Sequence, residues 1–416
     1  MKKVLGLLIV AMIFGSVWLL WPYYGFFSHR GEAPTLPFGW IEMPQDVPAS
    51  EKVHDAKFAD AGRDALDAMR QHRANINAPS ITAAVAIDGA LVWQGAVGLA
   101  DIAKERAASA DTIVRVGSTS KAITATALAR MAQRGDIDLD TPISTYLDEL
   151  PNASWAEITP RMLASHTAGL PHYGNNDDLD GLMLSMRLNT SYDDIRDALG
   201  QIDESALRFP PGSDFEYSSH GTVLLGAVMS NVAGKRYRDL IQDEVLVPAE
   251  AASTIVAPER IRAEGLAVPY YTKGEKHRPW RPVDLSHRLP AGGWASTSTD
   301  LVRIGSLWLD DTFISPATRA LFWTPQTLTN GEANEQDYAI GWRWREWEIE
   351  GIGVARNANH GGVSRGGQSW LLVYPDFDMA IAYNMNGRTE DFGPFADYHD
   401  EIFVPFARAI ERLRAD

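Results

Sequence analysis

The 416 residues include no cysteine. Disulfides, thiolate nucleophiles, iron–sulfur clusters and cysteine-ligated zinc are therefore excluded. Other ligand signatures are missing too. There is no His-Glu-x-x-His, no calcium-loop pattern and no Gly-x-x-x-x-Gly-Lys phosphate loop, so no metal and no cofactor is expected. Positive charge is scarce. Lys plus Arg number 38 against 54 Asp plus Glu, a net charge of −16. Such a chain repels phosphate backbones, which argues against a nucleic-acid partner. No internal repeat and no low-complexity segment is present. What remains is ordinary globular composition, 45% hydrophobic and 22% charged, in a chain long enough to bury a substantial core.

Charge is also missing from one long stretch. Met1, Lys2 and Lys3 lead into an uncharged run from Val4 to Trp21. At about 1.5 Å per residue this run is ~27 Å long, close to the ~30 Å hydrocarbon core of a bilayer. Trp18, Trp21, Tyr23 and Tyr24 follow it as an interfacial aromatic belt. A cleaved signal peptide is the competing reading, but the nearest small-x-small site, Gly31-Glu32-Ala33, lies far from the run. The sequence thus reads as a single-pass inner-membrane protein. Residues 1–30 are the anchor, with Lys2 and Lys3 in the cytoplasm and the chain beyond Arg30 periplasmic or extracellular. Residues 31–55, with Pro34, Pro37, Pro44 and Pro48, read as a tether. Residues 56–416 form the remaining domain.

That domain opens and closes with strands. A polar helix around Lys57 to Ala74 precedes a hairpin, Ile81–Ile87 and Leu91–Leu99, turning at Asp88-Gly89. Tyr338–Ile349, Ser369–Tyr374 and Met379–Asn386 are strand-like near the other end, and a helix ends near Leu413. Between them the sequence is helical. Ile123, Ala127 and Met131 repeat along a helix from Ser118 to Arg134 that Gly135 stops. It is apolar on more than one face and is expected to be deeply buried. A second apolar helix runs from Gly221 to Val232. The fold class is α+β: one antiparallel sheet assembled from both chain ends and flanked by helices, with a helical insertion over roughly residues 136–245.

Chemistry concentrates where the first buried helix begins. Ser118 and Lys121 are three apart and share one helical face. Serine becomes a nucleophile when a base takes its proton. An amine serves as that base only when its pKa falls, and burial and a helix N-terminus both disfavour the ammonium. The same N-terminus offers backbone N–H groups to an oxyanion. On these residues alone, Ser118 is equally a helix cap and Lys121 a solvated first-turn lysine.

The surrounding text decides between these readings. Ser118-Thr119-Ser120-Lys121 resembles the active-site Ser-x-x-Lys of the penicillin-recognising serine enzymes. So do the flanks, Thr112 to Gly117 and Gly135 to Ile143, and the later segment Thr159 to Leu170. The resemblance runs from about Pro79 to Arg388. It is strongest to the class C branch of the serine β-lactamase and penicillin-binding-protein superfamily, with its lactamase-like proteases and esterases.

The resemblance implies roles for further residues. Phe215-Glu216-Tyr217-Ser218-Ser219 stands for the family's Tyr-x-Asn, so Tyr217 shares proton transfer with Lys121, and Ser219 replaces the asparagine. Asn359-His360-Gly361-Gly362-Val363 stands for Lys-Thr-Gly. His360 is expected to face the nucleophile, Gly361 and Gly362 to admit substrate backbone, and the Val363 N–H to complete the oxyanion hole with that of Ser118. The change from lysine to histidine removes a cation for a substrate carboxylate. His166 reads as a buried structural residue, and His172 shows no catalytic pattern. Trp342, Trp344 and Trp347 are expected in the core and cleft wall. The implied function is a membrane-anchored serine hydrolase acting through an acyl-enzyme on an ester, peptide amide or lactam. The alternative is a non-catalytic or slowly acylated sensor of the same fold.

Overall fold

Strand-forming sequence lies at the two ends of the domain, and in the computed structural model the two ends meet in one sheet. The structure describes residues 2–29, 33–147, 149–173, 179–202, 204–257 and 265–415. The sheet contains β1 (Ala49–Val53), β2 (Ser80–Ile87), β3 (Ala90–Asp101), β4 (Arg343–Ile349), β5 (Gly353–Ser364), β6 (Gly367–Tyr374) and β7 (Met379–Met385). Their order is β4-β5-β6-β7-β2-β3-β1, antiparallel throughout. The β2–β3 turn is made by Asp88 and Gly89 at φ +50° and +74°, as a two-residue hairpin loop requires.

Side chains of the central strands alternate between two cores. Ala83, Val85 and Ile87 face one core, together with Leu372, Ile381 and the helices α2 (Ala59–Asn75) and α6 (His399–Ala415). Ala84 and Ala86 face the other, with Leu371, Val373, Ala380 and Ala382. That second core includes α3 (Ser120–Arg134), α4 (Ser219–Ala233) and α5 (Ser298–Ser306). Covered on both sides, these strands read as nearly continuous apolar runs. No strand lies between Val114–Arg115 and Ile255–Val256 among the described residues. This is the inserted helical region.

Two expectations change. The stretch read as a free tether is bound to the domain. Ala49–Val53 pairs along β3 as an edge strand, and Ile41–Glu42 pairs with His277 and Lys276. The strand expected from Tyr338 begins at Arg343 instead, because Asp337 and Gly341 take positive φ and break the extended backbone. Tyr338 and Trp342 are left in the core. The N-terminal helix α1 (Lys2–His29) is long and apolar enough over Lys3–Ser28 to cross a bilayer.

The functional region depends on one close crossing. A 3-10 turn, Gly117–Thr119, leads into α3, whose residues from Ser120 to Ala129 are all buried. Strand β5 passes directly over this turn. A Cβ on Gly362 would lie 1.9 Å from the Val116 oxygen and 2.6 Å from the Thr119 nitrogen. Gly117 has φ +54°, and a Cβ there would lie 2.6 Å from the Val363 carbonyl. No other residue type fits at either position. We predict that Gly362→Ala lowers stability by about 1–3 kcal/mol through overpacking. It also reduces acylation of Ser118 well below the melting temperature. Thermal unfolding and labelling by a fluorophosphonate probe check the two effects separately.

Candidate active site

A cleft of about 740 Å³ opens beside this crossing, with Ser118, Tyr217, Ser219 and Gly361 to Val363 in its lining. Lys121 lies at its floor, 2% exposed. Its Nζ donates to the Ala291 carbonyl at 2.9 Å and to Ser219 Oγ at 3.0 Å, and stands 3.4 Å from Ser118 Oγ. Burial pushes the lysine pKa well below its ordinary value, and the neighbouring Arg343 and Arg288 guanidiniums push it further. A neutral amine has two N–H donors and one lone pair. In that form the donors serve Ala291 and Ser219, and the lone pair can accept from the Ser118 hydroxyl 3.4 Å away.

Tyr217 lies against this pair, its ring 4.8 Å from Lys121 Nζ. Its hydroxyl interacts with the Ser118 and Ser219 side chains, yet burial outweighs these contacts and Arg343 and raises the phenol pKa. Tyr217 is thus a protonated donor.

The loop carrying Tyr217 is held from behind. Ser218 Oγ caps α4 by accepting from the Gly221 N–H at 3.0 Å. The Ser218 N–H donates to His166 Nδ1 at 3.3 Å, and the Ser219 N–H to His172 Nδ1 at 3.1 Å. His166 is buried, as its sequence context suggests. His172 carried no signal in the sequence, yet it lines the cleft. Burial lowers its pKa to about 3, and the Arg288 guanidinium adds to the effect.

His360 corrects an expectation. It does not face the nucleophile. It is fully buried, with Nδ1 2.8 Å from the Gly361 carbonyl and Nε2 2.7 Å from the Tyr338 hydroxyl. Burial, with the Arg343 guanidinium, lowers its pKa. The tautomer that satisfies both contacts donates from Nδ1 and accepts at Nε2. Asn359 and Gly361 to Ser364 line the cleft, while the His360 ring is taken up by the Tyr338 hydroxyl and the Gly361 carbonyl.

The cation missing at His360 is supplied elsewhere. Arg288 and Arg343 line the cleft. Arg288 is buried, stacks 4.0 Å from the Tyr173 ring and donates Nε to His287 at 2.9 Å. Arg343 donates to Gln336 at 2.9 Å and lies over the Tyr217 and Tyr338 rings. Neither has a carboxylate partner among the described residues. The alternation Arg343-Trp344-Arg345-Glu346-Trp347 could have revealed part of this, since Arg343, Arg345 and Trp347 all line the cleft. Trp342 is core and Trp344 stacks on Trp323. Nothing in the sequence singles out Arg288.

Residues 66–402 match the Beta-lactamase family profile, and the chain belongs to this family of serine hydrolases. It is 24% identical over 425 residues to the serine beta-lactamase-like protein LACTB, mitochondrial, of Bos taurus, covering 80% of this chain and 74% of the relative. It is 31% identical over 199 residues to esterase EstB of Burkholderia gladioli, covering 45% of this chain and 49% of the esterase. A class C beta-lactamase structure superposes with a TM-score of 0.67 at 18% identity, over 84% of this chain and 98% of that one.

The electrostatics predict a pH profile. Lys121 must be neutral to accept a proton, so activity falls as pH drops through its depressed pKa. Removing a nearby cation makes the ammonium easier to form and raises that pKa. Arg343→Gln therefore shifts the acid limb of kcat/KM for a neutral ester toward higher pH. An unmoved limb would show that burial alone sets the lysine.

Proposed function

We propose that this protein is a membrane-anchored serine hydrolase that cleaves an acyl ester or amide through a covalent acyl-enzyme. The observation that carries the reading is the Lys121 amine. It is buried, its pKa is lowered, and its Nζ stands 3.4 Å from Ser118 Oγ. Ser118 Oγ attacks the carbonyl carbon as its proton passes to Lys121 Nζ. The carbonyl oxygen becomes an oxyanion facing the Ser118 and Val363 amides, whose nitrogens both border the Gly117–Gly362 crossing. The bond to the leaving group breaks. The departing oxygen or nitrogen takes a proton from Tyr217, which is replenished from Lys121. Water then repeats the sequence on the acyl-Ser118 ester, giving the acid and free serine.

Membrane anchoring is supported by the exposure of α1. Every residue from 3 to 21 is exposed, which a bilayer would cover and water would not. Ester chemistry is supported by the EstB likeness. Arg288 and Arg343 in the cleft lining offer positive charge that the histidine at position 360 does not. The shorter Ser219 hydroxyl in place of an amide remains as a departure from the lactamase pattern.

Ser118→Ala should abolish both p-nitrophenyl ester turnover and fluorophosphonate labelling. An adduct mapped by mass to any other residue would remove the nucleophile assignment. Lys121→Ala should fold normally and lose about 10²–10⁴ in rate, the range of general-base catalysis. Stopped-flow traces test the sensor alternative: a burst with no steady turnover would mean a protein that is acylated once and held.

A further inference from the structure

Helix α1 changes its surroundings at one point. Residues 3–21 are exposed, and from Pro22 to Ser28 most of the helix is seated on the domain. Arg281 lies across Gly25, where a Cβ would meet its Cδ at 2.9 Å. The same guanidinium donates to the Arg187 and Met186 carbonyls at 3.0 and 3.1 Å. The Tyr24 hydroxyl donates to the Pro34 carbonyl at 2.7 Å. Arg365 stands over the Phe26 ring at 5.4 Å. Phe26 is itself part of the cleft lining, together with Ser118.

This geometry fixes where the cleft opens. Trp18 and Trp21 belong at headgroup level when Val4–Trp21 is in the bilayer. Phe26 follows Trp21 by five helical residues, about 7.5 Å at ~1.5 Å each. The mouth of the catalytic cleft therefore sits at the membrane surface. The neighbouring helix Leu179–Arg187 packs beside α1 and leaves Leu179 and Met183 exposed, 67% and 37%.

The cleft is also strongly polarised. Arg288, Arg343, Arg345, Arg365 and Arg388 line it, with no carboxylate among the described lining residues; Arg345 pairs outside the lining with Asp337 at 3.0 Å, and the chain as a whole carries a net charge of −16. Aromatic rings complete the wall: Phe392 lies on Gly361 and meets Trp370 at 5.5 Å, which meets Trp347 at 6.0 Å. A small neutral ester would use neither the charge nor the aromatic wall.

We infer that Ser118 acts on an anionic amphiphile taken from the membrane surface. It is an acyl ester or amide whose acid group lies against Arg288 and Arg343 and whose hydrocarbon lies along Phe26. This names a substrate class for the anchored-hydrolase reading and rests on it. The bond changes are those of acyl transfer given above, and the acid group is a handle that does not react.

The test uses full-length protein in nanodiscs of zwitterionic lipid and four p-nitrophenyl esters. Two are the monoesters of succinic and dodecanedioic acid, and two are the neutral butyrate and laurate of matching length. The charged member of each pair should have the higher kcat/KM, by at least about tenfold. Arg288→Gln and Arg343→Gln should each shrink that ratio several-fold, and Phe26→Ala should shrink the ratio of long to short esters. A charged-to-neutral ratio at or below one overturns the inference. So do arginine variants that slow both members equally, since the arginines would then act on Lys121 alone. A long-to-short ratio unmoved by Phe26→Ala overturns the membrane-facing part. Any of these with ester turnover intact leaves the hydrolase reading standing. Calorimetry of dodecanedioic acid with Ser118→Ala protein, against empty nanodiscs, reads the cation site without turnover. Binding that Arg288→Gln weakens, combined with no ester turnover in the wild type, would sink the hydrolase reading and keep the anion site. Absence of both binding and turnover removes both.

Discussion

Lys121 Nζ is enclosed by protein and neighboured by two guanidiniums, and both conditions disfavour its charged form. Much of the surrounding structure serves to keep it there. The 3-10 turn at Gly117–Thr119 and the buried start of α3 carry Ser118 and Lys121 on one face. Strand β5 closes over that turn, which requires glycine at 117 and 362. Ala291 and Ser219 take the two amine protons. The Tyr217 loop is fastened by His166 and His172, whose own imidazoles are kept neutral by the same burial. A site with this many nitrogen groups close together is tolerable only because most of them carry no charge.

The sequence makes some of this visible and hides the rest for identifiable reasons. The hairpin at Asp88-Gly89 and the apolar repeat of Ile123, Ala127 and Met131 are local signals, and local signals survive folding. Ser118 and Lys121 are close in sequence, so one helical turn unites them. Tyr217 is distant, and only the family resemblance links it to them. Ala49–Val53 could not be read as a strand because it is an edge. Apart from Ala49 its residues are exposed, so it lacks the apolar alternation that marks a half-buried strand. A motif gives the position of His360 on a strand, while the contacts that take up its ring, the Tyr338 hydroxyl and the Gly361 carbonyl, belong to the tertiary structure. Arg288 has no local signature. Its importance comes from burial beside Lys121, Tyr173 and His287, which is a property of the tertiary structure.

Charge is divided unevenly in this molecule. The chain as a whole is acidic, which keeps nonspecific anions away. The cleft reverses that sign, with arginines drawn from the loop before Ala291, from β4 and from the ends of β5 and β7. Two of them, Arg288 and Arg343, act on Lys121 through space. Their field therefore has two consequences. It lowers the proton affinity of Lys121 in the free enzyme, and it attracts an acid group into the place beside it.

These consequences are coupled. In the empty cleft the two guanidiniums add to burial in lowering the proton affinity of Lys121. When the acid group proposed here lies against Arg288 and Arg343, it offsets their charge at the amine. Burial, the larger cause of the depressed pKa, remains, so the lysine stays neutral before reaction while its affinity for a proton rises. Proton transfer from Ser118 then becomes easier at the moment substrate is in place. A neutral ester in the same cleft leaves the arginine field uncompensated and meets a weaker base. Discrimination between charged and neutral substrates would accordingly appear in kcat as well as in KM. An arginine that served binding alone would leave the chemical step unchanged.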